Sequence, residues 1–145
     1  MIELPPIPRD QRKIDADHLN LLSIFHFVGA GLALLALLFL LAHFALFHAL
    51  LSDPKMWNGK NQVPPPPQFL AVLKWFYLIF GAWFVASGIL NVLSGFFLRA
   101  RQHRTFSLVV AGLNCIHIPI GTVLGVFTII VLIRESVREL YEASA

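Results

Sequence analysis

The sequence predicts an all-α integral membrane protein with two full transmembrane helices and a proline-broken third segment. Three observations predict it. Charge is scarce: only 13% of the 145 residues are Asp, Glu, Lys or Arg and 57% are hydrophobic, whereas an ordinary soluble domain is about 25% charged. The charges are also clustered, leaving Leu19–Leu51, Trp75–Leu98 and Thr105–Ile133 without a single one. A soluble helix needs a polar face to meet water, and none of these runs supplies one. Finally, the net charge of +3 comes from basic residues flanking apolar runs, where cations orient membrane helices. A soluble enzyme, a disordered regulator and a nucleic-acid module are excluded on these grounds, and the lipid bilayer is the first partner.

The elements follow in order along one membrane domain, residues 1–145. Residues 1–14 read as a polar tail in which Pro5, Pro6 and Pro8 oppose helix. A first helix is expected over 15–51, stopped by Ser52-Asp53-Pro54. Its uncharged part would be about 50 Å long against roughly 30 Å of hydrocarbon. Asp15–Phe27 is therefore expected at or above the cytoplasmic interface and Val28–Leu50 across the bilayer. Residues 52–67 form a loop with Trp57 as interfacial anchor and a short run of prolines, and a second helix covers 68–98 with Lys74 near its start.

The last apolar stretch contains Pro119, which has no N–H for the Cys115 carbonyl and disfavours helix at Ile118. Ile118-Pro-Ile-Gly121 suits a type I turn and Thr122 a new N-cap. Two helical pieces, 105–118 and 122–142, are expected around this break. Charge bears on their topology. A single crossing leaves Arg134 and Arg138 opposite the six Lys/Arg of the tail and the Arg99–Arg104 turn, whereas a returning hairpin gives eight against three. The positive-inside rule favours a re-entrant hairpin with both termini cytoplasmic; a proline-kinked single span is the competitor.

The string Pro119-Ile-Gly-Thr-Val-Leu-Gly-Val-Phe-Thr-Ile-Ile-Val-Leu-Ile-Arg134, with its Pro-x-Gly-Thr-x-x-Gly core, resembles a pattern in small bacterial inner-membrane proteins. Asp17-His-Leu-Asn-Leu-Leu-Ser-Ile-Phe-His-Phe27 resembles the start of one such group. Together these cover a fifth to a quarter of the chain. The group has no assigned activity, so the resemblance implies architecture and a multi-pass location in a bacterial inner membrane, and it transfers no catalytic residue.

Several side chains remain to be weighed. Asp15, His18, Leu22 and His26 share one helix face, though His18 and His26 are about 12 Å apart along the axis, too far for one metal. His48 suits the outer boundary. His43 lies deeper, and His117 beside the break is its natural partner from another helix; such a pair would hold haem b, the alternative cofactor. Asn91 and Asn114, with Ser87 and Ser94 nearby, read as interhelical hydrogen-bonding groups. Gly81, Gly88 and Gly95 recur every seven residues, and Gly121 and Gly125 form a GxxxG; both read as packing surfaces where backbones approach. Arg134, Glu135, Arg138, Glu139 and Glu142 read as a solvated helix face. Arg99, Arg101 and Arg104 could attract anionic lipid, although orientation alone explains them.

No carboxylate pair, nucleophile motif, phosphate loop or Cys–His spacing is visible, so no catalytic or metal-binding residue is assigned. The leading reading is a non-enzymatic accessory or scaffold protein acting through helix packing, alone as a homo-oligomer or in a larger membrane complex. A haem-binding redox accessory using His43 and His117 is second, and an oligomeric small-solute or ion pathway lined by the Pro119–Gly125 break is third.

Overall fold

The computed structural model describes residues 9–59 and 63–143. The described residues form five α-helices: α1 (Arg9–Ser52), α2 (Pro67–Ala100), α3 (Arg104–Asn114), α4 (Ile120–Ile133) and α5 (Glu135–Glu142). No strand occurs among the described residues. The expected proline tail, up to Pro8, and Lys60 lie outside them.

α1 and α2 have 44 and 34 residues, so they extend about 66 and 51 Å. Both are long and apolar enough to cross a membrane. α1 begins at Arg9 rather than near Asp15. It ends where Asp53 caps the Lys55 N–H of a short 3-10 turn at 2.9 Å and the Trp57 indole N–H donates to the Leu51 carbonyl at 3.1 Å. That bond closes a helix end whose last carbonyls have no partner within the helix. α2 starts on Pro67, a first-turn position where the missing N–H costs nothing.

The third segment is broken, as Pro119 predicts. The break occupies Cys115–Pro119, ahead of the Ile118–Gly121 turn expected, and its Ile118–Pro119 peptide is cis. Thr122 does not cap α4. It sits inside the first turn, and its hydroxyl donates instead to the Cys115 carbonyl at 2.8 Å, satisfying an acceptor freed at the end of α3. α3 and α4 then lie antiparallel: the Arg104 Nε donates to the Leu132 carbonyl at 2.8 Å, Gly125 sits against Ala111, and Gly121 against Asn114. Advancing along α3 means receding along α4. The two pieces are about 16 and 21 Å long, each too short to span alone.

The stretch expected as one helix over 122–142 is interrupted at Arg134, where ψ is 136° and α5 departs from α4 by 72°. Its sequence explains the departure. α5 is amphipathic, with Val137, Leu140 and Tyr141 buried and Glu135, Arg138 and Glu142 exposed, and only a sharp bend brings that apolar face onto the rest of the core.

The described residues form two compact units: those up to Ala30 together with those from Ile89 onward, and those within Gly31–Gly88. In the first unit Ser23 and Phe27 of α1 meet Gly95 and Phe96 of α2, while Gly29 meets Asn91, an antiparallel register. Leu19, Leu22, Leu98, Val131, Leu132, Val137 and Tyr141 form its apolar cluster. The second unit pairs the rest of α1 and α2 through His43, Phe44 and Tyr77, with Leu37 and Leu40 over Gly81.

Candidate functional site

The first unit reverses the polarity of a soluble protein. Ile118 is 84% exposed and Phe127 59%, whereas Asp15 and His26 are 0% exposed. Many large apolar side chains face outward, while Asp15, His26, Asn91, Asn114 and Thr128 lie inside beside the apolar cluster, the arrangement expected when the surrounding solvent is hydrocarbon. The interior polar groups define the candidate site.

Each helix contributes a stripe. On α1, Asp15, Leu19, Leu22, Ser23 and His26 are buried; on α2, Asn91, Ser94 and Leu98; on α3, Ser107, Val110, Ala111 and Asn114; on α4, Gly125, Thr128, Val131 and Leu132. Spacings of three and four keep each set on one face.

The stripes meet polar to polar. The Ser23 hydroxyl donates to the Gly95 carbonyl at 2.7 Å. Asn91 and Asn114 exchange amide bonds, Asn91 Nδ2 donating to Asn114 Oδ1 at 3.0 Å and Asn114 Nδ2 to Asn91 Oδ1 at 2.8 Å. The Thr128 hydroxyl donates to the Leu124 carbonyl at 2.8 Å, and His26 Nε2 lies 3.2 Å from Thr128 Oγ1. Because that hydroxyl's only proton is committed, His26 must donate from Nε2. Its Nδ1 is buried with no hydrogen-bond partner among the described residues, as are the hydroxyls of Ser94, Ser107 and Tyr141. At the far end of the seam Arg134 reaches Asp15 at 3.6 Å and donates toward His18 Nδ1 at 3.4 Å.

The residues singled out in the sequence thus fall as follows. Asn91 and Asn114 are paired with each other. A Cβ on Gly121 or Gly125 would lie 2.5 or 2.3 Å from the Asn114 or Ala111 carbonyl oxygen, so these glycines set the α3–α4 distance. Gly95 faces the Phe27 ring and Gly81 the side chains of Leu37 and Leu40, all on α1; Gly88 is half-buried. His43 belongs to the second unit, where its Nδ1 meets the Tyr77 hydroxyl and its ring stacks on Phe47 at 4.4 Å. His117 belongs to the first, in the break, where its N–H donates to the Asn114 carbonyl at 2.9 Å and its carbonyl accepts from Thr122 N–H at 3.1 Å.

Sequence reasoning placed Asp15–Phe27 at an interface and treated Arg134 as part of a solvated face. Within the fold Ser23 and His26 are fully buried against α2 and α4, and Arg134, 41% exposed, also reaches Asp15. The spacing of Asp15, Leu19, Leu22, Ser23 and His26 was the available signal. Thr128, one hydroxyl in an apolar run, gave none.

The amide pair supports a direct test. Asn91→Leu or Asn114→Leu removes both bonds and leaves the other amide facing a hydrocarbon side chain, at an expected loss of about 1–3 kcal/mol. The double substitution should lose less than the sum, with a coupling of about 0.5–2 kcal/mol, measured by reversible unfolding in detergent.

No protein-family model, curated protein or solved structure matches the chain. The chemistry of its own residues therefore carries the functional argument.

Proposed function

We propose that this membrane protein is a non-enzymatic accessory or scaffold subunit of a bacterial inner membrane, acting through helix packing, with both termini cytoplasmic. The observation that carries the reading is where the polar side chains of the first unit end. Ser23, Thr122 and Arg104 donate to backbone carbonyls of a neighbouring helix or of the break, and Asn91–Asn114 and His26–Thr128 join helices pairwise. Bonds of this kind lock helices in register where lipid offers no competing partner. The surface this leaves is apolar and suits lipid or another membrane helix.

The orientation rests on charge. The bond from Arg104 to the Leu132 carbonyl supports counting Arg134 and Arg138 with the Arg99–Arg104 turn, and the eight-to-three balance of Lys/Arg then favours the cytoplasm for that end. The resemblance of Asp17–Phe27 and Pro119–Arg134 to small inner-membrane proteins supports the location.

Native mass and cross-linking of the chain extracted in mild detergent test the reading. The expected result is an assembly heavier than one chain, built from further copies or from a second membrane protein. A monomer that retains no other chain overturns the scaffold role. A reporter fused after Ala145 that is active on the non-cytoplasmic side overturns the orientation.

A further inference from the structure

The turn between α2 and α3 collects cationic groups that have no carboxylate partner among the described residues. Arg134 pairs with Asp15, and Arg138 with Glu135 and Glu142. Arg101 and Arg104 are both half-buried, yet neither has a carboxylate partner among the described residues. A guanidinium removed from water is costly to leave unpaired. Arg104 commits its Nε to the Leu132 carbonyl at 2.8 Å, which fixes the stem and leaves the fork's outer N–H groups to another acceptor.

Two further features lie at the same place. α3 begins at Arg104 after His103, which makes no side-chain cap, so the N–H groups of its first turn lack the acceptor that a Ser, Thr or Asp cap would give. Tyr141 on α5 is 7% exposed and packed in the cluster that holds Leu98 and Leu132, the residues flanking this turn from α2 and α4. Its hydroxyl is buried and has no hydrogen-bond partner among the described residues. Burial pushes this phenol up to about 12, while Arg104 and Arg101 pull the other way. It therefore keeps its proton at neutral pH and is a donor. A helix N-terminus, two guanidinium groups and a neutral phenol are all donors, and what they lack is a multiply charged oxygen acceptor.

We propose that the α2–α3 turn binds a phosphate-bearing anion, held by Arg101, Arg104, the first N–H groups of α3 and the Tyr141 hydroxyl. A phospholipid headgroup and free phosphate share this chemistry. The exposed apolar residues within two turns of the site, Phe96 on α2 and Val109 on α3, offer acyl chains a surface, so the lipid is the better match.

The test uses the full chain in a neutral detergent and follows its thermal unfolding with added phosphatidylglycerol, phosphatidylcholine or inorganic phosphate. Binding to the folded state alone raises the transition with ligand concentration. A rise of several degrees with phosphatidylglycerol, and none with phosphatidylcholine, is expected. An equal rise with inorganic phosphate keeps the site and assigns it to the free ion. Arg101→Asn is the informative variant, because Arg101 has φ of 53°, where asparagine is better tolerated than arginine. The variant should fold at least as well without ligand yet lose most of the rise. Tyr141→Phe, which removes one oxygen, should require at least about threefold more lipid for the same rise, the loss of a single donor. Arg99→Gln, at an exposed position of the same turn, should respond as the parent does. Equal stabilisation by the two lipids with none from phosphate overturns the proposal, as does a loss in Arg99→Gln matching that in Arg101→Asn.

Discussion

Gly125→Ala should unfold the hairpin far more readily than Gly112→Ala, although both add one methyl group to a glycine of the same α3–α4 pair. The new Cβ at 125 would lie 2.3 Å from the Ala111 carbonyl oxygen, 2.6 Å from Cys115 Sγ and 3.0 Å from the Cys115 nitrogen. Two of these are backbone atoms, so no rotamer change relieves the clash and the helices must separate. Forced overpacking of this kind costs about 1–3 kcal/mol or more, and here separation also threatens the Arg104–Leu132 and Thr122–Cys115 bonds. At 112 nothing lies within 4 Å of the added atom. There alanine reduces the freedom of the unfolded chain and favours helix, a gain of up to about 1 kcal/mol. Unfolding in detergent, followed by circular dichroism, reads both. Gly81→Ala should resemble the position 112 variant, since its nearest neighbour is a leucine methyl at 3.8 Å, and Gly95→Ala should fall between, because Phe27 crowds it with a ring that can shift. A similar loss at 125 and 112 would mean that the hairpin is not held by this close approach.

That contrast marks how far the sequence could be read. Uncharged length identifies membrane helices because it concerns each segment's exchange with solvent, and Pro119 identifies a break because it removes a donor from its own helix. Both causes are local. The GxxxG of Gly121 and Gly125 pointed to a close approach, but only the return of α4 along α3 identifies the facing backbone, and Gly112, equally visible as a glycine, faces nothing within 4 Å. The bend at Arg134 has no local cause: Ile133-Arg-Glu135 contains neither proline nor glycine. It arises because Val137 and Tyr141 reach Leu19, Leu22 and Leu98, and because Arg134 reaches Asp15, more than a hundred residues away in the chain. The polar stripe of α1 was legible as a stripe. Whether it met water or protein depended on Gly95 and Thr128 arriving from other helices.

Arg134→Ala should be the most damaging of the C-terminal charge removals, and the reason lies on Asp15. That carboxylate is 0% exposed, and among the described residues its one partner besides Arg134 is the Gln11 amide, at 3.3 and 3.4 Å. Stripping the partner from a buried charge pair costs about 3–5 kcal/mol. Arg134 is itself 41% exposed, so part of its charge is already met by solvent and a loss nearer about 2–3 kcal/mol is expected. Arg138→Ala removes two ion pairs but both are on exposed side chains, and it should shift stability by no more than about 0.5 kcal/mol. Counting salt bridges would rank the two variants the other way. Adding Asp15→Asn to Arg134→Ala should recover much of the loss, because a neutral amide keeps the volume and the hydrogen-bonding capacity without the stranded charge. The damage also has a location. Arg134 is the bend residue, so releasing it from Asp15 should loosen α5 before α1–α4, and limited proteolysis should cut within Glu135–Glu142 while the α3–α4 hairpin stays intact. Equal resistance of the Arg134→Ala and Arg138→Ala chains would place Asp15 in contact with water and remove the electrostatic reason for the bend.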